Sequence, residues 1–157
     1  MVGMSMDNID LKILSCLQED VTLPLAEIAK RVGLSSTPCW RRIQKLETAG
    51  VIRQRVALLD GTKLNCRVTV FVSIRTGQHT AAWLKKFASV VTDFPEVVEF
   101  YRMSGEIDYL LRVVVPDIAA YDNFYQRLIK AVDLTDVSSS FAMEQIKYTT
   151  SLPLEYA

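Results

Sequence analysis

The chain has 157 residues, half of them hydrophobic and 23% charged, with a formal net charge of zero. That is an ordinary globular balance with length for one domain or two small ones, and it excludes a disordered chain. No apolar run approaches the roughly 18–20 residues that cross a bilayer, and the opening MVGMSMDNID has neither a basic nor an apolar leader region, so no membrane partner is expected and the cytoplasm is the expected compartment.

Residues 7 to 50 read as helices. Ile9, Ile13, Leu14 and Leu17 fall at helical spacing, with Asp7 placed to cap the start. Pro24 precedes a short amphipathic run of Leu25, Ile28, Ala29 and Val32 that stops at Gly33. A third helix is predicted from about Ser36 to Ala49; Pro38 is tolerated in its first turn and Gly50 supplies the stop. Three short helices with a glycine between the last two make a helix-turn-helix candidate, and VIRQRVALLD after them alternates weakly, as a strand or small wing would.

Beyond Asp60 the period changes. Residues 67–75 alternate, with Val68, Val70, Val72 and Ile74 on one face. Residues 80–92 read as a helix, 97–103 and 107–115 as strands about Ser104-Gly105, 117–132 as a helix and 137–148 as a last strand. The order βαββαβ predicts a ferredoxin-like α+β sandwich, and its helix-free sheet face predicts a partner copy.

The third helix gathers charge. Arg41, Arg42 and Lys45, with Arg53 and Arg55 just beyond, stand against the single acid Glu47. On a helical wheel Cys39, Ile43 and Leu46 fall together on one side, which defines a buried stripe. Thr37, Arg41, Gln44 and Lys45 fall opposite it, and Trp40 lies on the flank. Arg42 lies beside the stripe, placed to reach a phosphate or to pin the helix to its domain. A solvated face explains the polarity; it does not explain the shortage of acids or the tryptophan. Insertion into a DNA major groove explains all three. Ser36 and Thr37 with the helix-start N–H groups would hold phosphates, Arg41, Gln44 and Lys45 would reach base edges, and Arg53 and Arg55 would meet the flanking backbone. Because the stretch from Met1 to Asp60 holds eight cations against seven acids, Asp7, Asp10, Glu19 and Asp20 are expected to point away from the groove.

Cys16, Cys39 and Cys66 are odd in number and far apart, the pattern of small hydrophobes rather than of a disulfide framework or metal site. His79, in the loop-like TGQHT, has no base or nucleophile beside it in sequence and is expected at the surface. Without Gly-rich phosphate loops, Cys–His pairs or metal spacings, an enzyme is not expected, nor a metal or other cofactor.

Taken together, the motifs resemble the Lrp/AsnC family of bacterial and archaeal regulators over nearly the whole length. "DNIDLKILSCLQED" is similar to the family's Asp-x-x-Asp-x-x-Ile-Leu opening, and "LAEIAKRVGLSSTPCWRRIQKLETAGVIRQ" to its helix-turn-helix. "SGEIDYLLRVVVPDIAAYDNF" is similar to its Gly-x-x-Asp-Tyr segment, and "SSSFAMEQIKYTTSLPL" to its closing strand. The resemblance implies a winged helix-turn-helix DNA-binding domain over residues 1–60, a linker over 61–66, and a ligand-binding and oligomerisation (RAM) domain over 67–157. It implies a transcription regulator that binds double-stranded DNA as homodimers, assembling to octamers or other higher oligomers, and responds to a small effector, usually an amino acid. An architectural DNA-binding oligomer without an effector is the alternative. The family's effector loop falls on Met103, Ser104, Gly105, Glu106, Ile107, Asp108 and Tyr109, with further contacts at Ser138, Ser139 and Ser140. Chemically, Gly105 allows close backbone approach, Asp108 can accept from an α-ammonium, and serine hydroxyls can hold a carboxylate; a hairpin glycine and an outward polar residue are the competing reading. Met103 and Ile107 suggest an apolar lining. Asn65-Cys66 departs from the family, which usually carries Leu-Gly or a similar small pair there.

Overall fold

The structure is a computed structural model and describes residues 6–78 and 80–157, so the surface position expected for His79 lies outside the described residues. The chain groups into two units, one of residues 1–58 with 147–157 and one of residues 59–146.

The first unit is built on three helices. In α1 (Asn8–Glu19) the Asp7 carboxylate accepts from the N–H groups of Ile9 and Asp10, both at 2.9 Å, while Asp10 reaches back to the Asp7 N–H at 3.2 Å. This reciprocal capping box starts the helix cleanly. Helix α2 (Leu25–Val32) stops where Gly33 turns left-handed, at φ 74°, and α3 (Ser36–Thr48) follows at once, with Gly50 left-handed beyond it. Ile13, Leu14, Ile28, Ala29, Val32, Cys39, Ile43 and Leu46 form the core, so the stripe predicted on the third helix is the buried one. Two features differ from expectation. Residues 53–60 form no strand, because the described residues offer them no ladder partner. The last residues return to the helices: Gln18 accepts from the Leu152 N–H at 2.7 Å and donates to its carbonyl at 3.2 Å, and Leu154 packs against the core.

The second unit runs β1 (Val68–Arg75), α4 (Ala81–Thr92), β2 (Val97–Arg102), β3 (Tyr109–Val115), α5 (Ile118–Ala131) and β4 (Asp136–Phe141). The sheet order is β2-β3-β1-β4, antiparallel throughout, which is the expected ferredoxin-like α+β arrangement. In register, Val70 faces Val113, Val72 faces Leu111 and Ile74 faces Tyr109; all of these side chains are buried with Phe87, Val91, Phe124 and Leu128 from the helices. The alternate positions, Phe71, Leu110, Arg112, Ser138 and Ser140, lie on the other face, where Phe71 and Tyr101 stay exposed. The last strand ends at Phe141, short of the predicted Tyr148. Before β1, Asn65 adopts φ 59°, a left-handed conformation that asparagine tolerates, and so takes the turn at the departure noted in the sequence.

Candidate DNA-binding surface and effector loop

Ser35 stands extended at the start of α3 and makes no side-chain bond to the helix, whereas Asp7, Thr80 and Asp117 cap α1, α4 and α5. The N–H groups of the exposed Ser36 and Thr37 therefore remain available to an anion, while Pro38 has none and Cys39 donates to the Ser35 carbonyl. Arg41 and Lys45 are exposed one turn apart on this helix, and Trp40 is half exposed on the flank. Arg41, Lys45 and Arg53 form no ion pair among the described residues.

Arg42 differs. Its guanidinium donates to Asp7 at 2.8 Å and to the buried Asp10 at 2.7 Å, so it pins α3 to the start of α1. Of the two roles open to it in the sequence, the structure gives it the internal one. The Asp10 N–H and the Arg42 guanidinium together hold the Asp7 carboxyl below its ordinary pKa. The same contact accounts for the Asp-x-x-Asp opening: one acid caps, and both receive the arginine.

Gln44 and Arg55 are also engaged, through Glu47. Gln44 donates to one oxygen of that carboxylate and Arg55 to the other, each at 2.8 Å. Sequence reasoning gives Glu47 no site role, although the i,i+3 spacing from Gln44 is a usable signal. A shallow cavity of about 270 Å³ lies beside these residues, walled by Leu17, Val21, Leu23 and Trp40.

In the second unit, Met103–Asp108 form a hairpin at one end of the sheet. The Met103 N–H donates to the Asp108 carbonyl at 2.8 Å, and Gly105 adopts φ 114°. Met103, Ser104 and Glu106 are exposed, Glu106 lying 3.7 Å from Arg75, and Ile107 is half-buried. One Asp108 oxygen accepts from the Thr76 N–H at 2.8 Å, which ties the β1–α4 loop to the hairpin; the other has no hydrogen-bond partner among the described residues. That bond joins residues far apart in sequence, and no local pattern signals it. Two expected contacts face inward. Tyr109 is buried against Trp83, Phe87 and Phe100, and the Ser139 hydroxyl bonds to the Tyr121 hydroxyl. Ser138 and Ser140 are exposed on β4, separated from β3 by β1. The hairpin residues are thus brought together, while the serines form a separate strip.

Two family models match the chain in tandem: the AsnC-type helix-turn-helix domain over residues 6–47 and the Lrp/AsnC ligand binding domain over residues 69–152. The chain belongs to the Lrp/AsnC family. Its likeness to the DNA-binding transcriptional activator DecR of Escherichia coli K12 is 53% identity over 151 residues, covering 96% of this chain and 99% of that one. The crystal structure of an AsnC family transcriptional regulator from Agrobacterium tumefaciens superposes with a TM-score of 0.94 at 70% identity, covering 96% of this chain and 99% of that one. A transcriptional regulator of Neisseria meningitidis, solved as an L-Met complex, superposes with a TM-score of 0.91 at 37% identity, covering 97% of this chain and 99% of that one. As an Lrp/AsnC member the chain is a DNA-binding transcriptional regulator and not an enzyme. No helix among its described residues is long and apolar enough to cross a membrane.

Proposed function

We propose that this Lrp/AsnC protein reads specific DNA sites with α3 and adjusts that binding, or its own assembly, to an amino-acid effector held by the sheet domain. The observation that carries the DNA half is the sorting of charge on α3. Arg42 is consumed inside the domain, while Arg41 and Lys45 stand exposed without acidic partners among the described residues, at a helix start whose N–H groups no side chain caps. In this reading Ser36 and Thr37 meet phosphates, Arg41 and Lys45 enter the groove with Trp40 at its edge, and Arg53 and Arg55 approach the flanking backbone. The effector half draws support from the L-Met complex of the Neisseria relative and from the Met103–Asp108 hairpin, with its exposed close-approach glycine and a carboxylate oxygen that has no partner among the described residues. The helix-free sheet face, with Phe71 and Tyr101 exposed, fits a homodimer interface from which octamers or other higher assemblies are built. Residues 1–60, with the returning 147–157, then act as the DNA head and residues 67–146 as the assembly and sensing half, working in the cytoplasm.

The test is competition between a genomic promoter fragment and bulk genomic DNA, with Arg41→Ala beside the native protein. A specific regulator should prefer its site by roughly 10³ or more. Arg41→Ala should cost that site about 1–3 kcal/mol while barely changing binding to bulk DNA. Parity between the two DNAs would favour the architectural reading, to which the near-balance of eight cations and seven acids in residues 1–60 lends support.

A further inference from the structure

Three residues on and beside α3 form a unit whose chemistry restricts which base it can read. Glu47, one turn beyond Gln44, accepts from Gln44 Nε2 at 2.8 Å through Oε2 and from Arg55 Nη2 at 2.8 Å through Oε1. An ionised carboxylate has no proton to give, so it can only accept. It therefore fixes the Gln44 amide with nitrogen toward Glu47, whichever way a freely rotating amide would settle. One amide N–H is consumed. What the exposed Gln44 still presents is one acceptor, Oε1, and one donor, the second N–H.

Among the base edges of the major groove, adenine alone offers the complementary pair, an N6 amino donor beside the N7 acceptor. Guanine offers two acceptors, for which only one donor remains. Cytosine offers a lone amino donor and thymine a lone acceptor with a methyl group. We infer that Gln44 reads adenine in the DNA site and that Glu47 is the positioning residue that sets this preference, with Arg55 holding the carboxylate from the other side. This rests on the reading of α3 as the groove helix and deepens it. It also gives a purpose to the one acid in a cationic stretch, which on charge alone would only weaken DNA binding.

The experiment is selection of binding sites from randomised duplexes by the native protein, Glu47→Ala and Gln44→Ala, followed by affinities on single-base variants of the selected site and on random DNA. The native protein should show a position where adenine beats the other bases by about tenfold or more. Gln44→Ala should abolish that preference. Glu47→Ala, at a partly exposed helix position, should flatten it to within a few-fold while affinity for random DNA holds or rises, because a negative charge leaves the surface and Arg55 is released. A loss of folding would lower both affinities together and could not mimic this split. An adenine preference that survives Glu47→Ala, or one that survives Gln44→Ala, would overturn the inference while leaving the regulator intact. If the native protein selected no sequence at all, the sequence-specific reading and this inference would fall together.

Discussion

Arg41 and Arg42 are neighbours of one type with opposite duties. Arg41 is exposed and forms no ion pair among the described residues, whereas Arg42 bridges Asp7 and Asp10, the latter only 4% exposed. Arg42→Ala would leave the buried Asp10 acceptor short of its partner, and a loss of about 1–3 kcal/mol is expected in chemical denaturation. Any fall in DNA affinity should then follow the fall in stability. The same contact carries a pH signature. The folded-state pKa of Asp7 lies below its ordinary value of 3.8, so its contribution is complete above that value and is lost as pH falls through the depressed one. Acid unfolding followed by circular dichroism should show this loss in the native protein, and Asp7→Asn should remove it. The helical wheel puts Arg42 beside the core stripe and Arg41 opposite it, but no local pattern says which of two roles Arg42 takes. Both of its partners are distant in sequence, at the far end of the helix-turn-helix segment, and only the packing of α3 on α1 brings them near.

At the scale of elements, the helices were legible because their signals are local. Pro24, Gly33 and Gly50 punctuate the helix-turn-helix, and the buried stripe sits where the helical period places it. Gly33 shows how much one such mark carries. A Cβ there would meet nothing within 4 Å, yet φ is 74°. Gly33→Ala is therefore expected to cost about 1–2 kcal/mol through backbone strain alone, read as a lower denaturation midpoint with unchanged helix content. Strands were less legible at their ends, since a ladder needs a neighbour that periodicity does not reveal. Residues 53–60 alternate weakly and find no partner among the described residues, and β4 stops at Phe141 although apolar residues continue to Tyr148. The inward turn of Tyr109 and Ser139 follows from register: both pair with the buried positions of β1, Ile74 and Val72.

For the whole molecule, the proposed effector response can be tested without knowing the operator. Thermal unfolding against the common amino acids should show one selective shift, since a ligand at about 100 times its Kd adds about 2.7 kcal/mol to the folded state. Asp108→Asn is the informative partner, because the amide oxygen can keep the Thr76 N–H while the negative charge is lost. A shift that disappears in this variant places an α-ammonium at the hairpin; one that persists removes Asp108 from the site. The sequence also concealed how its charges are sorted. Eight cations and seven acids look like a surface indifferent to DNA, yet Arg31 is paired with Glu27, Arg42 with Asp7 and Asp10, and Arg55 with Glu47. On and just beyond α3 this leaves Arg41, Lys45 and Arg53 without an acidic partner among the described residues. With eight cations against seven acids in residues 1–60, the slope of log K against log[salt] should be shallow, so binding should fade gently as salt rises. Such a regulator would draw its discrimination from base contacts more than from bulk attraction, and would let go of unrelated DNA readily at cellular ionic strength.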